Sequence, residues 1–375
     1  MILSDTQAAI RGAVRSFAQE RIAPRSRNFE AAGGFPPELF EELAGLGLMG
    51  MTAPKAFGGA GADAVSYALA LVEIAAADGA LSTIVSIQNS IMVGAILADG
   101  TDAQRSEWLP QLIGGRTIGA VALTEADAGS DAAALRTQAE RVSGGYRISG
   151  AKQFITSGRI AGLVLVVALT DPAAGRRGMS AFLVPTDTPG FSVDKVERKL
   201  GQNASDTAAI RFDDMIVPEH VRLGAEGQGY RIALANLSTG RIGIAAQCIG
   251  MARAALEIAI GYAKQRRSFG QPLMTHQAVG FRLADMAARL EAATQLVLHA
   301  ASLKDAGAPC LTEASMAKLV ASEEAKRICS AAIQTLGGYG YLEEFGVAKI
   351  YRDVRVCQIY EGTSDIQRMV IARVL

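Results

Sequence analysis

The chain has 375 residues, a length that suits two or three packed domains rather than one simple core. Half of its residues are apolar and one fifth are charged, the balance of an ordinary globular protein. The 37 Lys and Arg equal the 37 Asp and Glu, so no overall basic field exists to gather nucleic acid or anionic membrane.

The first region, residues 1–116, reads as helical. Ile10, Val14 and Phe17 fall at spacings of four and three, and Leu39, Phe40 and Leu43 repeat the stripe. Ala-rich stretches over Tyr67–Ala77 and Ile84–Leu97 continue it, with Pro36-Pro37 opening a helix and Gly58-Gly59 marking a loop. Gly45-Leu46-Gly47-Leu48-Met49-Gly50 has dinucleotide-fingerprint spacing, but a helical stripe precedes it and no βαβ pattern surrounds it. It reads as a helix-to-loop transition, not a nicotinamide site.

The second region, residues 117–223, changes to short strands between turns. Ile118–Leu123, Tyr146–Ile148, Leu163–Leu169, Met179–Val184, Phe191–Val196 and Ala208–Phe212 are rich in Val, Ile, Leu and Phe. Glycine and proline pairs separate them, which predicts a small β-barrel or sandwich. Leu163–Leu169 is the longest strongly apolar run and is too short to cross a bilayer, so no membrane insertion is expected. The chain opens on an amphipathic helix with no charged leader before it.

In the third region, residues 224–375, long Ala-rich helices return over Arg241–Lys264, Gln277–Lys304 and Thr312–Leu336, and predict an antiparallel bundle. The fold class is therefore α+β, in the order helical, β, helical. Cys248, Cys310, Cys329 and Cys357 form no C-x-x-C pair, and His220, His276 and His299 show no ligand spacing. No metal site is expected, and scattered single thiols suit a reducing cytoplasm.

Several polar islands stand out. Leu123-Thr124-Glu125-Ala126-Asp127-Ala128-Gly129-Ser130-Asp131 follows the first strand and offers hydroxyls and a glycine to an anion. Alone it is a polar turn more often than a cofactor loop. Arg266-Arg267-Ser268-Phe269-Gly270 pairs guanidinium groups with an aromatic ring, and Gln334-Thr335-Leu336-Gly337-Gly338 ends a helix on a double glycine. In Tyr360-Glu361-Gly362-Thr363-Ser364-Asp365-Ile366-Gln367, Ser364 and Gln367 have capping-box spacing, which puts Glu361 on the loop before a helix. The helix dipole would lower its pKa, whereas a base for a weakly acidic C–H needs a raised one. Burial in a water-poor pocket reverses that balance.

These islands, together with Phe154-Ile155-Thr156-Ser157-Gly158 and Gly240-Arg241-Ile242-Gly243, occur in one order along essentially the whole chain. In that order they resemble the acyl-CoA dehydrogenase family, closest to its short- and medium-chain members. The resemblance implies an N-terminal helical domain, a middle β domain and a C-terminal four-helix bundle, with FAD between the β domain and the bundle near a subunit interface. It implies that Leu123, Thr124, Gly129 and Ser130 hold flavin and diphosphate, that Phe154 covers the ring and that Thr156 reaches its N5. Arg266, Phe269, Gln277, Gln334, Gly337 and Gly338 match residues that reach FAD from a neighbouring subunit, and Thr363 and Asp365 match contacts to its ADP part. The assembly implied is a homotetramer, a dimer of dimers.

The chemistry implied is α,β-dehydrogenation of an acyl-CoA thioester. Glu361 takes the α-proton as the catalytic base while the β-hydrogen leaves as hydride to flavin N5. The Glu361 N–H and a flavin hydroxyl would grip the thioester carbonyl, and Ser130, Ser238, Arg241, Tyr360 and Gly362 would contact substrate. Relatives that place the base on the bundle helix do so where this chain has Gly240, so the glutamate at 361 is the short- and medium-chain arrangement. Ser238 replaces a common acidic residue, Asp365 a common Gln or Glu, and Phe154 a common Trp. Similarity around Gln88-Asn89-Ser90 leans towards short or branched acyl groups. An electron-transfer flavoprotein is the expected acceptor. An oxidase, a dehydrogenase of carrier-protein-bound acyl groups, and a silent scaffold relative are the alternatives.

Overall fold

The computed structural model describes residues 1–235 and 237–375. Helix α1 (Asp5–Phe17) starts at a capping box in which Ser4 and Gln7 satisfy each other's backbone N–H. After α2 (Ser26–Ala32) and α3 (Pro37–Gly45) come α4 (Ala64–Ala77) and α5 (Gly79–Ile87), capped by the Asp63 and Asp78 carboxylates. The helical path from α5 continues through a π segment, Gln88–Val93, into α6 (Gly94–Asp99), and α7 (Asp102–Ile113) closes the region.

The π segment lies on the Gln88-Asn89-Ser90 island, and the buried amides there are fully used. Gln88 donates to the Leu112 and Thr117 carbonyls and accepts from Gly119 N–H. Asn89 joins Leu48, Met51 and Val85. Both residues pin loops and the first strand, so their side chains serve the fold.

The middle region forms one eight-stranded mixed sheet in the order β6-β7-β3-β2-β4-β5-β8, with β1 beside β4. Its strands are β1 (Gly119–Ala122), β2 (Gln138–Val142), β3 (Gly145–Thr156), β4 (Leu163–Leu169), β5 (Met179–Pro185), β6 (Phe191–Val196), β7 (Thr207–Pro218) and β8 (Arg222–Leu223). Tyr146 on β3 and Phe182 on β5 stack with centroids 5.0 Å apart although two strands separate them, so the sheet curls around its own core. Strand β4 is buried on both faces: Val164 and Val166 face that inner core, while Leu163 and Leu165 pack on Met92, Ile96 and Leu109 of the helical region. This double burial explains its unbroken apolar run.

Four strand readings in this sheet change, the smallest being the unexpected two-residue β8. Strand β2 was not expected, because Gln-Ala-Glu-Arg-Val exposes its polar side chains and buries only small Ala139. Strands β3 and β7 run past their expected ends, to 12 residues each, carried through register shifts at Ile148/Gly150 and Lys152/Ile155.

The chain then enters α8 (Gly229–Ala235), α9 (Leu237–Gln265), α10 (Gln277–Asp305) and α11 (Leu311–Leu336), followed by short α12 (Val347–Val354) and α13 (Ser364–Ala372). The long helices form a bundle against which α4 also lies, so residues from Val14 to Cys357 share one continuous apolar core. Gly250 on α9 allows the approach of α4, since a Cβ there would overlap the Val72 carbonyl. Two helical stretches, Gly79–Asp99 and within Gly229–Gln265, are long and apolar enough to span a bilayer by composition, contrary to the estimate from Leu163–Leu169 alone. In each, 78 % of the apolar window is buried inside the fold, as in core helices.

Candidate active site

Glu361 sits on the turn between residue 360 and α13, in left-handed conformation (φ 51°), followed by Gly362 at φ 89°. Non-glycine residues rarely adopt that conformation, and where they do the surroundings must hold it. The Lys318 ammonium donates to the Gly362 carbonyl at 2.7 Å. Gln367 Nε2 donates to the carbonyls of Glu361 and Gly362 at 3.2 and 2.9 Å. The helix cap is therefore Thr363, whose hydroxyl accepts from Ile366 N–H, and not Ser364. Gln367, expected to close a capping box, reaches instead to the turn.

The residue as a whole is half-buried, yet both Glu361 carboxylate oxygens are shut off from solvent and have no hydrogen-bond partner among the described residues. The carboxylate lies against Gly240 on α9. A Cβ at that position would overlap Oε2 and stand 3.1 Å from Cδ, so any side chain there would displace the carboxylate from this position. Burial raises the Glu361 pKa to about 7, with the positive charges of Lys318 and Arg241 pulling the other way. No acceptor pairs with the Glu361 backbone N–H among the described residues. One residue thus presents an unpaired amide and a poorly solvated carboxylate side by side.

Arg241 is 3 % exposed and donates to Ser315 at 2.8 Å, behind the carboxylate. Tyr360 turns away into a buried polar cluster, donating to Gln247 Oε1 at 2.8 Å and lying 3.5 Å from Thr83. Ser238 stands half-buried in the first turn of α9.

Beside this turn a crevice of about 210 Å³ opens between the sheet and the C-terminal region, lined by Thr156, Ile359, Tyr360 and Arg355 among others. It carries two buried, unpartnered polar atoms, Ser205 Oγ and Arg355 Nη1. Phe154, two residues before Thr156, is also left-handed (φ 60°) and holds its ring 62 % exposed at the end of β3. The loop after β1 is anchored from below. Lys152, buried on β3, donates to the Leu123 carbonyl at 3.0 Å and to Glu125 at 2.8 Å, and Glu125 accepts from Thr137 N–H at 3.0 Å. Thr124 is half-buried there, and Gly129 and Ser130 are exposed. Burial lowers the Lys152 pKa to about 8.

A second recess, an open one of about 400 Å³, gathers Arg266, Gln334, Gly337 and Gly338 with Tyr262, Tyr339 and Leu342. The Arg266 guanidinium lies 5.6 Å from the Tyr339 ring centre. Phe269, left-handed again (φ 49°), is 95 % exposed beside His276, and Gln277 opens α10 next to it. The two recesses share no lining residue: of the expected cofactor contacts Thr156 lines the first, Arg266, Gln334, Gly337 and Gly338 line the second, and the others line neither.

Descriptions of the acyl-CoA dehydrogenase N-terminal, middle and C-terminal domains match residues 4–116, 120–215 and 227–375 in turn. The chain belongs to the acyl-CoA dehydrogenase family. It is 48 % identical over 375 residues to an acyl-CoA dehydrogenase of Bacillus subtilis, covering 100 % of this chain and 99 % of that protein. It is 43 % identical over 370 residues to the mitochondrial short-chain specific acyl-CoA dehydrogenase of Bos taurus, covering 99 % and 90 %. The solved structure of butyryl-CoA dehydrogenase from Megasphaera elsdenii superposes with a TM-score of 0.97 at 40 % identity, covering 100 % and 99 %.

The protein is an oxidoreductase of the family's flavin-dependent kind, with FAD as its cofactor. The crevice suits the polar edge of that cofactor, since the Thr156 hydroxyl and the orphaned Ser205 and Arg355 atoms line it, and exposed Phe154 stands two residues from Thr156 along β3. Two site residues escaped the sequence reading, Lys318 and Lys152, and Glu125 was read only as part of the loop after β1, not as its anchor. Lys318 had a usable signal, since it interrupts the buried stripe of Ala314, Ala317, Ala321 and Ala325 on α11.

Proposed function

We propose that this enzyme desaturates a short or branched acyl-CoA thioester between Cα and Cβ, with Glu361 as the α-proton base. The observation that carries this reading is the Glu361 carboxylate, out of water, without a hydrogen-bond partner among the described residues and with its pKa raised to about 7. A base poised near neutrality is about half ionised at physiological pH and still strong enough to take a proton.

The left-handed turn offers the Glu361 N–H to the thioester oxygen while its side chain meets the α-hydrogen, so one residue serves both ends of the enolate-like transition state. Donation to that oxygen stabilises the charge that develops there and acidifies the α-proton. FAD, when bound, takes up the β-hydrogen as hydride. Thr156 and Phe154 would hold its ring, and Leu123, Thr124, Gly129 and Ser130 its polar arm. Arg266, Phe269, Gln277, Gln334, Gly337 and Gly338 would reach the FAD of a neighbouring copy, with Thr363 and Asp365 at its ADP end, in a tetramer built as a dimer of dimers. Support for sharing is that these six residues lie in and beside a recess separate from the crevice at Glu361. Ser238 and Gly362 stay candidates for substrate contact. Arg241 points away from the crevice and would act on it electrostatically, whereas Tyr360 lines the crevice with its hydroxyl held by Gln247. An electron-transfer flavoprotein is the proposed acceptor and the cytoplasm the proposed compartment, in keeping with four buried free cysteines.

Anaerobic flavin bleaching by straight and branched acyl-CoAs, and by the corresponding acyl carrier proteins, tests the reading. Short acyl-CoAs should bleach fastest, and Glu361→Gln should stay yellow yet bleach with none. Bleaching of that variant at the wild-type rate removes Glu361 as the base, and faster bleaching by carrier proteins reassigns the substrate.

A further inference from the structure

Helix α11 runs beneath the Glu361–Gly362 turn and presents to it a lysine that no solvent reaches. An ammonium group has three donors, and Lys318 shows one acceptor among the described residues, the Gly362 carbonyl at 2.7 Å. So poorly solvated a charge is tolerated only where an opposite charge lies near. Burial lowers the Lys318 pKa, and the Cys248 and Cys357 thiols and the Glu361 carboxylate around it work the other way. The hydrogen bond to Gly362 is duplicated, since Gln367 donates to the same oxygen at 2.9 Å. The charge is not.

We propose that Lys318 is a positioning residue for proton abstraction: it clamps the left-handed Glu361–Gly362 turn and lends the charge that keeps the Glu361 carboxylate ionised in a site closed to water. The inference rests on the reading of Glu361 as the base. Every group facing that carboxylate bears on it. Gly240 and Arg241 approach from α9, Lys318 from α11, the buried Tyr67 phenol from α4 and Gln367 from α13. Of these, Lys318 and Arg241 are positive. Burial drives the Glu361 pKa upwards, and Lys318, ahead of Arg241, restrains it at about 7. Arg241 has the weaker hold, and its own donors are directed partly to Ser315. Removing the lysine charge therefore raises Glu361 further, and the ionised base is lost first at neutral and acid pH.

The test compares FAD-loaded wild type, Lys318→Gln, which keeps a donor without the charge, and Lys318→Met, which keeps neither. Protonation of Glu361 is read directly by difference infrared titration against Glu361→Gln, and the pH profile of kcat/KM is measured with butyryl-CoA and an electron-accepting dye. The expected midpoint in wild type is about 7, moving up by about one unit or more in both variants. At pH 7 kcat/KM then falls roughly fivefold, and at pH 9 it recovers. A loss that is the same at every pH, with an unmoved infrared midpoint, assigns Lys318 to packing alone and overturns the proposal. If neither variant folds, Lys318→Arg keeps the charge. Its midpoint should stay at about 7, and a shift there overturns the proposal equally. Failure of the base reading looks different: Glu361→Gln would then bleach normally whatever Lys318 does.

Discussion

The buried carboxylate makes activity and stability pull against each other, and the conflict has a pH signature. In the folded protein Glu361 has its pKa at about 7 against an ordinary 4.5, so the folded state binds this proton more tightly than the unfolded chain. Its contribution to stability is therefore fully present below the unfolded pKa and is lost as pH rises through the folded one. Integrated from pH 5 to pH 8.5, the loss amounts to about 2.5 kcal/mol. Glu361→Gln has no such proton to lose. The amide exchanges one poorly satisfied group for another, which adds an offset of either sign of about 1–3 kcal/mol, but that offset does not vary with pH.

The quantity to measure is thus the change in the stability difference, variant minus wild type, between the two pH values. Urea unfolding of the FAD-free proteins at pH 5 and pH 8.5 supplies it, with bleaching by acyl-CoA as the activity readout. The variant should gain about 2–3 kcal/mol on wild type between pH 5 and 8.5 while losing all bleaching. A stability difference that stays constant over that range would show that Glu361 ionises as an ordinary solvated carboxylate, and the argument from burial would fail.

Gly240→Ala should fold, gaining about 0.5–1 kcal/mol of helix propensity, yet lose at least about a hundredfold in kcat/KM because its methyl overlaps the carboxylate; unaltered kinetics would mean that Glu361 works from another position. Lys152→Met leaves Glu125 buried without its partner and should cost about 3–5 kcal/mol, with weaker FAD retention as the 123–131 loop loosens, read by thermal melts and flavin fluorescence. Co-refolding equal amounts of Glu361→Gln and Arg266→Ala chains, each inactive alone, should restore roughly a quarter of wild-type activity. Half the pairs are then hybrids, and each hybrid has one intact site. No recovery would place Arg266 in the same site as its own Glu361. Thr363→Ala removes the cap of α13 and should cost about 1 kcal/mol in a denaturant titration, whereas Ser364→Ala should leave that cap in place.

The order of helical, β and helical regions could be read from periodicity, because an amphipathic helix and a half-buried strand leave different repeats in the chain. So could β4, whose burial on two faces writes an unbroken apolar run. Strand β2 could not, since its exposed face is polar and its buried face is a single alanine. Glu361 as the proposed base, the aromatic at Phe154 and the Arg266–Gly270 island were legible only as short patterns in a fixed order. What makes the glutamate basic was not legible at all. Local sequence places it one turn before a helix, where the dipole favours the ionised form. Its elevated pKa comes from burial against Gly240 some 120 residues earlier, and the restraint on that elevation comes from Lys318 more than 40 residues earlier, both brought to it by the packing of α9 and α11. The sequence alone determined which residues are available. Desolvation depends on what surrounds a group in three dimensions, so whether that carboxylate is a surface charge or a buried group of raised pKa was decided only by tertiary structure.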